Sequence, residues 1–194
     1  MRDGTEAQLD DVTLIRRIAA GNRAAFEALV KRYWASMYRY AAAAAHDGAA
    51  AEDAVQETFT AVWRSAAGFR GEVTGRAWLF TIARNALDHR LRRRAGEPQE
   101  MASLDDVGAA AGWGTPSTSD QVMAAIETRE RVHKAMAALS PEDREVLVLM
   151  DVEELTAEEA GPMLGLSVSA LKSRLHRARL RLIAQLGKED FGEG

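Results

Sequence analysis

Apolar residues return every three or four positions along almost the whole chain, and this period stops for long only between residues 95 and 119. Such spacing marks one face of an α-helix, since about 3.6 residues complete a turn. An all-α protein is therefore expected. The long break carries Gly96, Pro98, Gly108, Gly112, Gly114, Pro116 and a Ser/Thr cluster, with Glu97, Glu100, Asp105 and Asp106 among them. That composition predicts a flexible acidic linker, residues 96–119. In a chain of 194 residues it leaves two small helical domains, residues 10–95 and 120–187. Each is small enough to be only marginally stable alone.

Local signals divide the first domain into helices. Leu14, Ile15 and Ile18 form a short stripe that Gly21-Asn22 stops and restarts. Phe26, Leu29, Val30, Tyr33, Met37 and Tyr38 lead into an alanine run broken at His46-Asp47-Gly48. Ala54, Val55, Thr58, Phe59, Val62 and Trp63 mark a third helix, and three glycines make residues 68–75 a loop. Thr74 or Gly75 then caps a fourth helix, whose stripe is Trp78, Leu79, Ile82, Ala83, Ala86 and Leu87.

The second domain predicts a helix from Asp120 to Leu139. Ser140-Pro141-Glu142-Asp143 is a helix start, and Val146, Leu147, Leu149 and Met150 supply the buried face beyond it. Thr156-Ala157-Glu158-Glu159 reads as a capping box for a short helix ending at Gly165. Ser167 caps a last helix that Gly187 closes, with Leu171, Leu175, Leu182 and Leu186 as its packing stripe.

Charge locates function within this frame. Residues 78–94, WLFTIARNALDHRLRRR, begin as a core helix and end as a cationic one, in a chain of net charge -4. A concentrated cation cluster in an acidic protein points to a localised polyanion site. The short helix, glycine turn and long basic helix at the end resemble a helix-turn-helix, whose second helix enters the DNA major groove. Glu52, Asp53, Gln56 and Glu57 lie beside Phe59 and Trp63; that helix face is solvated, metal-binding or protein-binding.

Several classes are excluded. With no cysteine there are no disulfides, thiolate metal sites or cysteine nucleophiles. His46, His89, His133 and His176 stand far apart, and no P-loop, Gly-rich dinucleotide turn or GxSxG elbow occurs. No catalytic residue, metal or cofactor is expected. A polar, acidic start and the lack of a long apolar run predict a cytoplasmic protein without membrane insertion.

AEDAVQETFTAVW, WLFTIARNALDHRLRRR, LSPEDREVLVL and KSRLHRARLRL follow in that order. Together they resemble the extracytoplasmic-function group of bacterial RNA polymerase sigma factors. The resemblance implies a sigma-2-like helical bundle and a sigma-4-like helix-turn-helix domain, acting with core RNA polymerase on promoter DNA. Asp53, Gln56 and Glu57, with Phe59 and Trp63 beside them, match the positions that hold the clamp helices of the largest polymerase subunit. Phe69, Arg70 and Arg76 match the segment that captures a base flipped from the -10 element. Arg84, Asn85, Asp88, Arg90, Arg92 and Arg93 would lie against the opening duplex. Lys172, Ser173, His176 and Arg177 would read the -35 element, with Arg174 beside them. The linker would run through the polymerase, and a cognate anti-sigma factor would cover both DNA-binding faces.

Two departures stand out. Gly161-Pro162 occupies the first helix of the helix-turn-helix, where proline costs ~3 kcal/mol in a helix interior. That helix is expected to be kinked, to start late, or to be held by its neighbours, and the motif to be locally weakened. Ser169-Ala170 replaces a common glycine-threonine and puts one phosphate contact in doubt. The main rival reading is a stand-alone helix-turn-helix transcriptional regulator, which has no need of a clamp-like face at Asp53, Gln56 and Glu57. A nuclease holding metal on Glu52, Asp53, Glu57 and Asp88 is the remote third.

Overall fold

The computed structural model describes residues 6–45, 48–94 and 119–190, and among these there are eight α-helices and no strand. The chain divides into two compact units, residues 1–101 and 102–194. The expected linker, except Ser119, lies outside the described residues, as do His46 and Asp47.

The first unit is built from α1 (Asp11–Ala19), α2 (Arg23–Ala45), α3 (Gly48–Ser65) and α4 (Gly75–Arg94), with a 3-10 turn at Ala66–Gly68. Asp10 caps α1 by accepting from the Thr13 amide at 2.9 Å and the Thr13 hydroxyl at 2.7 Å. Gly21 ends it at φ 81°, where its amide donates to Ile18 O and the Asn22 amide to Arg17 O. These two bonds satisfy carbonyls left over at the helix end. Asn22 Oδ1 then accepts from the Ala25 amide at 3.0 Å and starts α2.

Of the two expected caps for α4, Thr74 serves: its hydroxyl accepts from the Ala77 amide at 3.2 Å. Gly75 is needed for a different reason. A Cβ there would stand 2.6 Å from the Asp11 Cβ, so only glycine lets the first turn of α4 lie against α1.

Leu79, Ala83, Ala86 and Leu87 are buried as expected, whereas Trp78 and Ile82 are only half-buried. The residue that anchors α4 is Phe80, absent from the expected stripe. It is fully buried, with its ring edge-on to Tyr40 at 5.6 Å.

The second unit comprises α5 (Ser119–Ala137), α6 (Pro141–Leu147), α7 (Ala157–Leu164) and α8 (Val168–Asp190). Ser140 caps α6 through the Asp143 amide, with Pro141 at its start. Val148–Val152 continues α6 as a wider π turn, marked by a bond from the Glu153 amide to Val148 O. The extra residue rotates the helix face, so Val148 is buried and Met150, expected inside, is half-exposed.

Pro162 does not delay α7. The helix begins at its capping box, where Thr156 and Glu159 bond reciprocally, and runs through Pro162 to the left-handed Gly165. Pro162 itself is exposed. The Leu166 amide donates to Gly161 O at 2.9 Å, and a Cβ on Gly161 would meet Leu166 O at 2.9 Å. Gly161 is therefore the space into which the turn closes. On α8, Leu171, Leu175 and Ala178 are buried, but Leu182 and Leu186 are half-exposed, so the expected stripe packs fully only in its first half.

Candidate functional site

In the helix-turn-helix, Ser167 caps α8 by accepting from the Ala170 amide at 3.2 Å. Leu171, Leu175 and Ala178 turn inward, which leaves Lys172, Ser173, His176 and Arg177 exposed on the opposite side. Arg174 lies between, half-buried. The rear cations are tied back: Arg179 grips both carboxylate oxygens of Asp151, with Nε at 2.9 Å, and Arg181 pairs with the buried Asp143. The bond to Asp151 raises the Arg179 pKa above its ordinary value. Cations of α8 are thus sorted, some available to an outside anion and others engaged in the fold.

Behind them Arg144 is buried. Its guanidinium donates to the carbonyl oxygens of Met136 and Leu139, each at 3.0 Å, and of Ala137 at 3.4 Å, closing the end of α5. Burial lowers its pKa, as desolvation does for any cation.

In the first unit, α3 presents Glu52, Asp53 and Gln56 to solvent, with Glu57 half-exposed. Phe59 is buried, not part of the exposed surface. It stacks parallel to Trp34 at 6.0 Å and meets Phe26 edge-on at 6.4 Å, while Trp63 packs on Phe26 at 5.1 Å. Trp34 and Trp63 are 37% and 41% exposed, so an apolar ledge borders the acids. Sequence reasoning missed Trp34, although it stands eight residues after Phe26, at the edge of the α2 stripe.

The loop before α4 places the Phe69 ring on Trp78 at 5.1 Å, with Arg70 exposed beside it and Gly71 at φ 75°. Arg76 is half-buried over the Phe80 ring, 5.9 Å from its centroid. Along α4, Arg84 pairs with Asp88 at 3.3 Å, and Asn85 is exposed. Arg90 departs from its expected place, because Nη2 donates to Asp53 Oδ2 at 2.6 Å. His89 Nδ1 lies 3.5 Å from Glu57. The side chains of Arg92 and Arg93 lie outside the described residues.

Asp53, Glu57 and Asp88 thus each face a basic side chain, and among the described residues no group of His, Asp and Glu is placed to hold a metal. Among those residues, too, no helix is long and apolar enough to cross a membrane.

An acidic helix with an aromatic ledge, a cationic helix behind an aromatic loop and a separate helix-turn-helix define a modular DNA-binding transcription factor. The chain matches the family described as Sigma-70 region 2 over residues 26–97 and that described as Sigma-70, region 4 over residues 129–182. It is 32% identical to the ECF RNA polymerase sigma factor SigM of Mycobacterium tuberculosis over 189 residues, 97% of this chain and 91% of that one. It is 34% identical to the RNA polymerase sigma factor CnrH of Cupriavidus metallidurans over 180 residues, covering 91% and 94% of the two chains.

Among solved structures, CnrH in complex with the cytosolic domain of CnrY is similar at TM-score 0.65 and 29% identity, covering 92% of this chain and 97% of that one. The sigma factor RpoE of Bartonella quintana, in complex with the anti-sigma factor NepR, gives TM-score 0.62 and 25% identity over 84% and 96%. The protein belongs to the extracytoplasmic-function group of RNA polymerase sigma factors, which direct polymerase to promoters.

Proposed function

We propose that the two units divide promoter recognition between them, residues 10–95 acting at the -10 element and residues 120–187 at the -35 element. The observation that carries this reading is the sorting of cations on α8. Lys172, Ser173, His176 and Arg177 face outward, while Arg179 and Arg181 are held by Asp151 and Asp143. Lysine or arginine on a guanine edge contributes roughly 1–3 kcal/mol of discrimination. Arg174, half-buried, borders that surface.

In the first unit, Phe69 and Arg70 take an extruded -10 base, with Trp78 behind the Phe69 ring. Extrusion costs a few kcal/mol, which stacking and phosphate contacts offset. Arg84 and Asn85, continued by Arg92 and Arg93, face the separating strands. Asp88 steers Arg84, and Arg76 braces the loop against Phe80.

Asp53, Gln56 and Glu57 meet the clamp helices of the largest polymerase subunit, with Trp63 and Trp34 as the apolar ledge. Phe59 supports that ledge from inside. The protein performs no bond chemistry, takes no cofactor and acts in the cytoplasm. Its relatives CnrH and RpoE are in complex with the cytosolic domain of CnrY and with the anti-sigma factor NepR, and a cognate anti-sigma factor is the corresponding partner here.

The test is in-vitro transcription with purified core polymerase and a promoter library. Specific initiation is expected, and Asp53→Ala with Gln56→Ala weakens core binding while sparing -35 binding. Promoter binding without polymerase, together with no support of initiation, would identify a stand-alone regulator instead.

A further inference from the structure

Arg90 follows the inward series Ala83, Ala86 and Leu87 at three- and four-residue steps, so it emerges on the side of α4 that packs against the bundle. Arg84 and Asn85 leave the helix on other sides. The Arg90 side chain is 22% exposed, and its contact with Asp53 is unequal: the cation is sunk, while the carboxylate it holds remains 51% exposed. Only Oδ2 receives the guanidinium, at 2.6 Å. A phosphate approaching Arg90 would have to displace Asp53, whereas a partner approaching α3 finds that carboxylate already oriented.

We propose that Arg90 is a positioning residue of the polymerase-binding face, holding Asp53 for the partner, rather than a DNA contact. This rests on the reading that Asp53 meets polymerase. Fixing the carboxylate before binding removes an ordering cost that a free side chain incurs on association. The sign of the effect separates this role from plain electrostatics. Removing Arg90 leaves α3 more negative, so a charge effect alone would tighten binding to a basic partner; loss of positioning weakens it.

The experiment measures core-polymerase affinity of the full chain carrying Arg90→Gln, Asp53→Asn or both. Arg90→Gln is expected to weaken binding about 3- to 10-fold, on the order of one immobilised side chain. Asp53→Asn should cost at least as much, and the double variant no more than Asp53→Asn alone. Arg90→Lys keeps the charge without the planar fork and should fall between; it also serves if Arg90→Gln folds poorly, as circular dichroism would reveal.

With core polymerase saturating, the Arg90→Gln holoenzyme should keep the promoter affinity and salt dependence of the parent. Unchanged or tighter core binding by Arg90→Gln overturns the proposal, and so do additive effects in the double variant. A holoenzyme whose log-log salt slope falls by about 0.7–0.9, the mark of one lost phosphate contact, returns Arg90 to DNA. If Asp53→Asn itself leaves core binding intact, the reading of α3 fails first and takes this proposal with it.

Discussion

The two units are held together by different chemistry. The first is locked by rings: Tyr40 on Phe80, Phe26 on Phe59 and Trp63, and Trp34 on Phe59. The second has no phenylalanine, tyrosine or tryptophan anywhere in residues 119–190. Its small aliphatic core is supplemented by buried Arg144 on the end of α5, by Asp143 and Asp151 on the arginines of α8, and by the capping box of α7. Aromatic contacts depend on area and shape, whereas polar ties depend on every partner being present. Ties to α8 also hold two of its arginines to the fold, so in the second unit the polar groups that add stability also set which cations of α8 remain free of an acidic partner.

The sharpest way to break this contrast is to remove one support from each side. Phe80→Ala should destabilise the first unit by about 4 kcal/mol through lost burial and a cavity. Arg144→Met should cost the second unit about 3 kcal/mol, because the carbonyls ending α5 lose a charged donor. Hydrogen exchange resolved by segment checks both, and each loss of protection should stay within its own unit. Equal loss in both units from either variant would show that they do not unfold separately.

A smaller effect of opposite sign comes from Pro162→Glu. It restores a backbone donor at an exposed position of α7, offset in part by a less restricted unfolded chain, for a gain of about 1–2 kcal/mol. The thermal midpoint of the second unit should rise by roughly 5–10 °C. An unchanged midpoint together with unchanged -35 binding would show that the motif is not weakened there.

Most helix starts and stops were legible because each is a local event: Gly21, Asn22, Ser140, Thr156, Gly165 and Ser167 act within a few residues of themselves, whereas Gly187 does not close α8, which runs on to Asp190. What escaped was anything settled between helices. Phe80 lies off the stripe drawn on α4 because Tyr40, on α2, supplies its partner. Met150 exchanged roles with Val148 because one extra residue in the π turn is invisible to periodicity. On α8, the exposure of Lys172, Ser173, His176 and Arg177 follows from the spacing of Leu171 and Leu175. Phe59 could not be placed in this way, since an aromatic beside acids looks the same whether it faces solvent or supports Trp34. Arg90 was grouped with its neighbours in sequence, and only the place of α3 reveals that it turns to Asp53.

The smallest effect is expected at a part-buried polar tie of the first unit. The Tyr33 hydroxyl donates to Asp11 Oδ2, and Arg32 donates to Oδ1 of the same carboxylate at 2.6 Å. Burial, then the bond to Asp11 and its negative charge, raise the phenol pKa well above its ordinary 10.0, against the opposing influence of Arg76 and Arg32. An acid whose pKa is higher folded than unfolded contributes fully below the unfolded value. That contribution falls once the unfolded phenol ionises while the folded one does not. The stability that Tyr33 adds should therefore be constant below pH 10.0 and shrink above it. Urea unfolding of the parent and Tyr33→Phe across this range would show the gap between them narrowing as pH rises. A gap of constant size would mean that the phenol titrates alike in the folded and unfolded states.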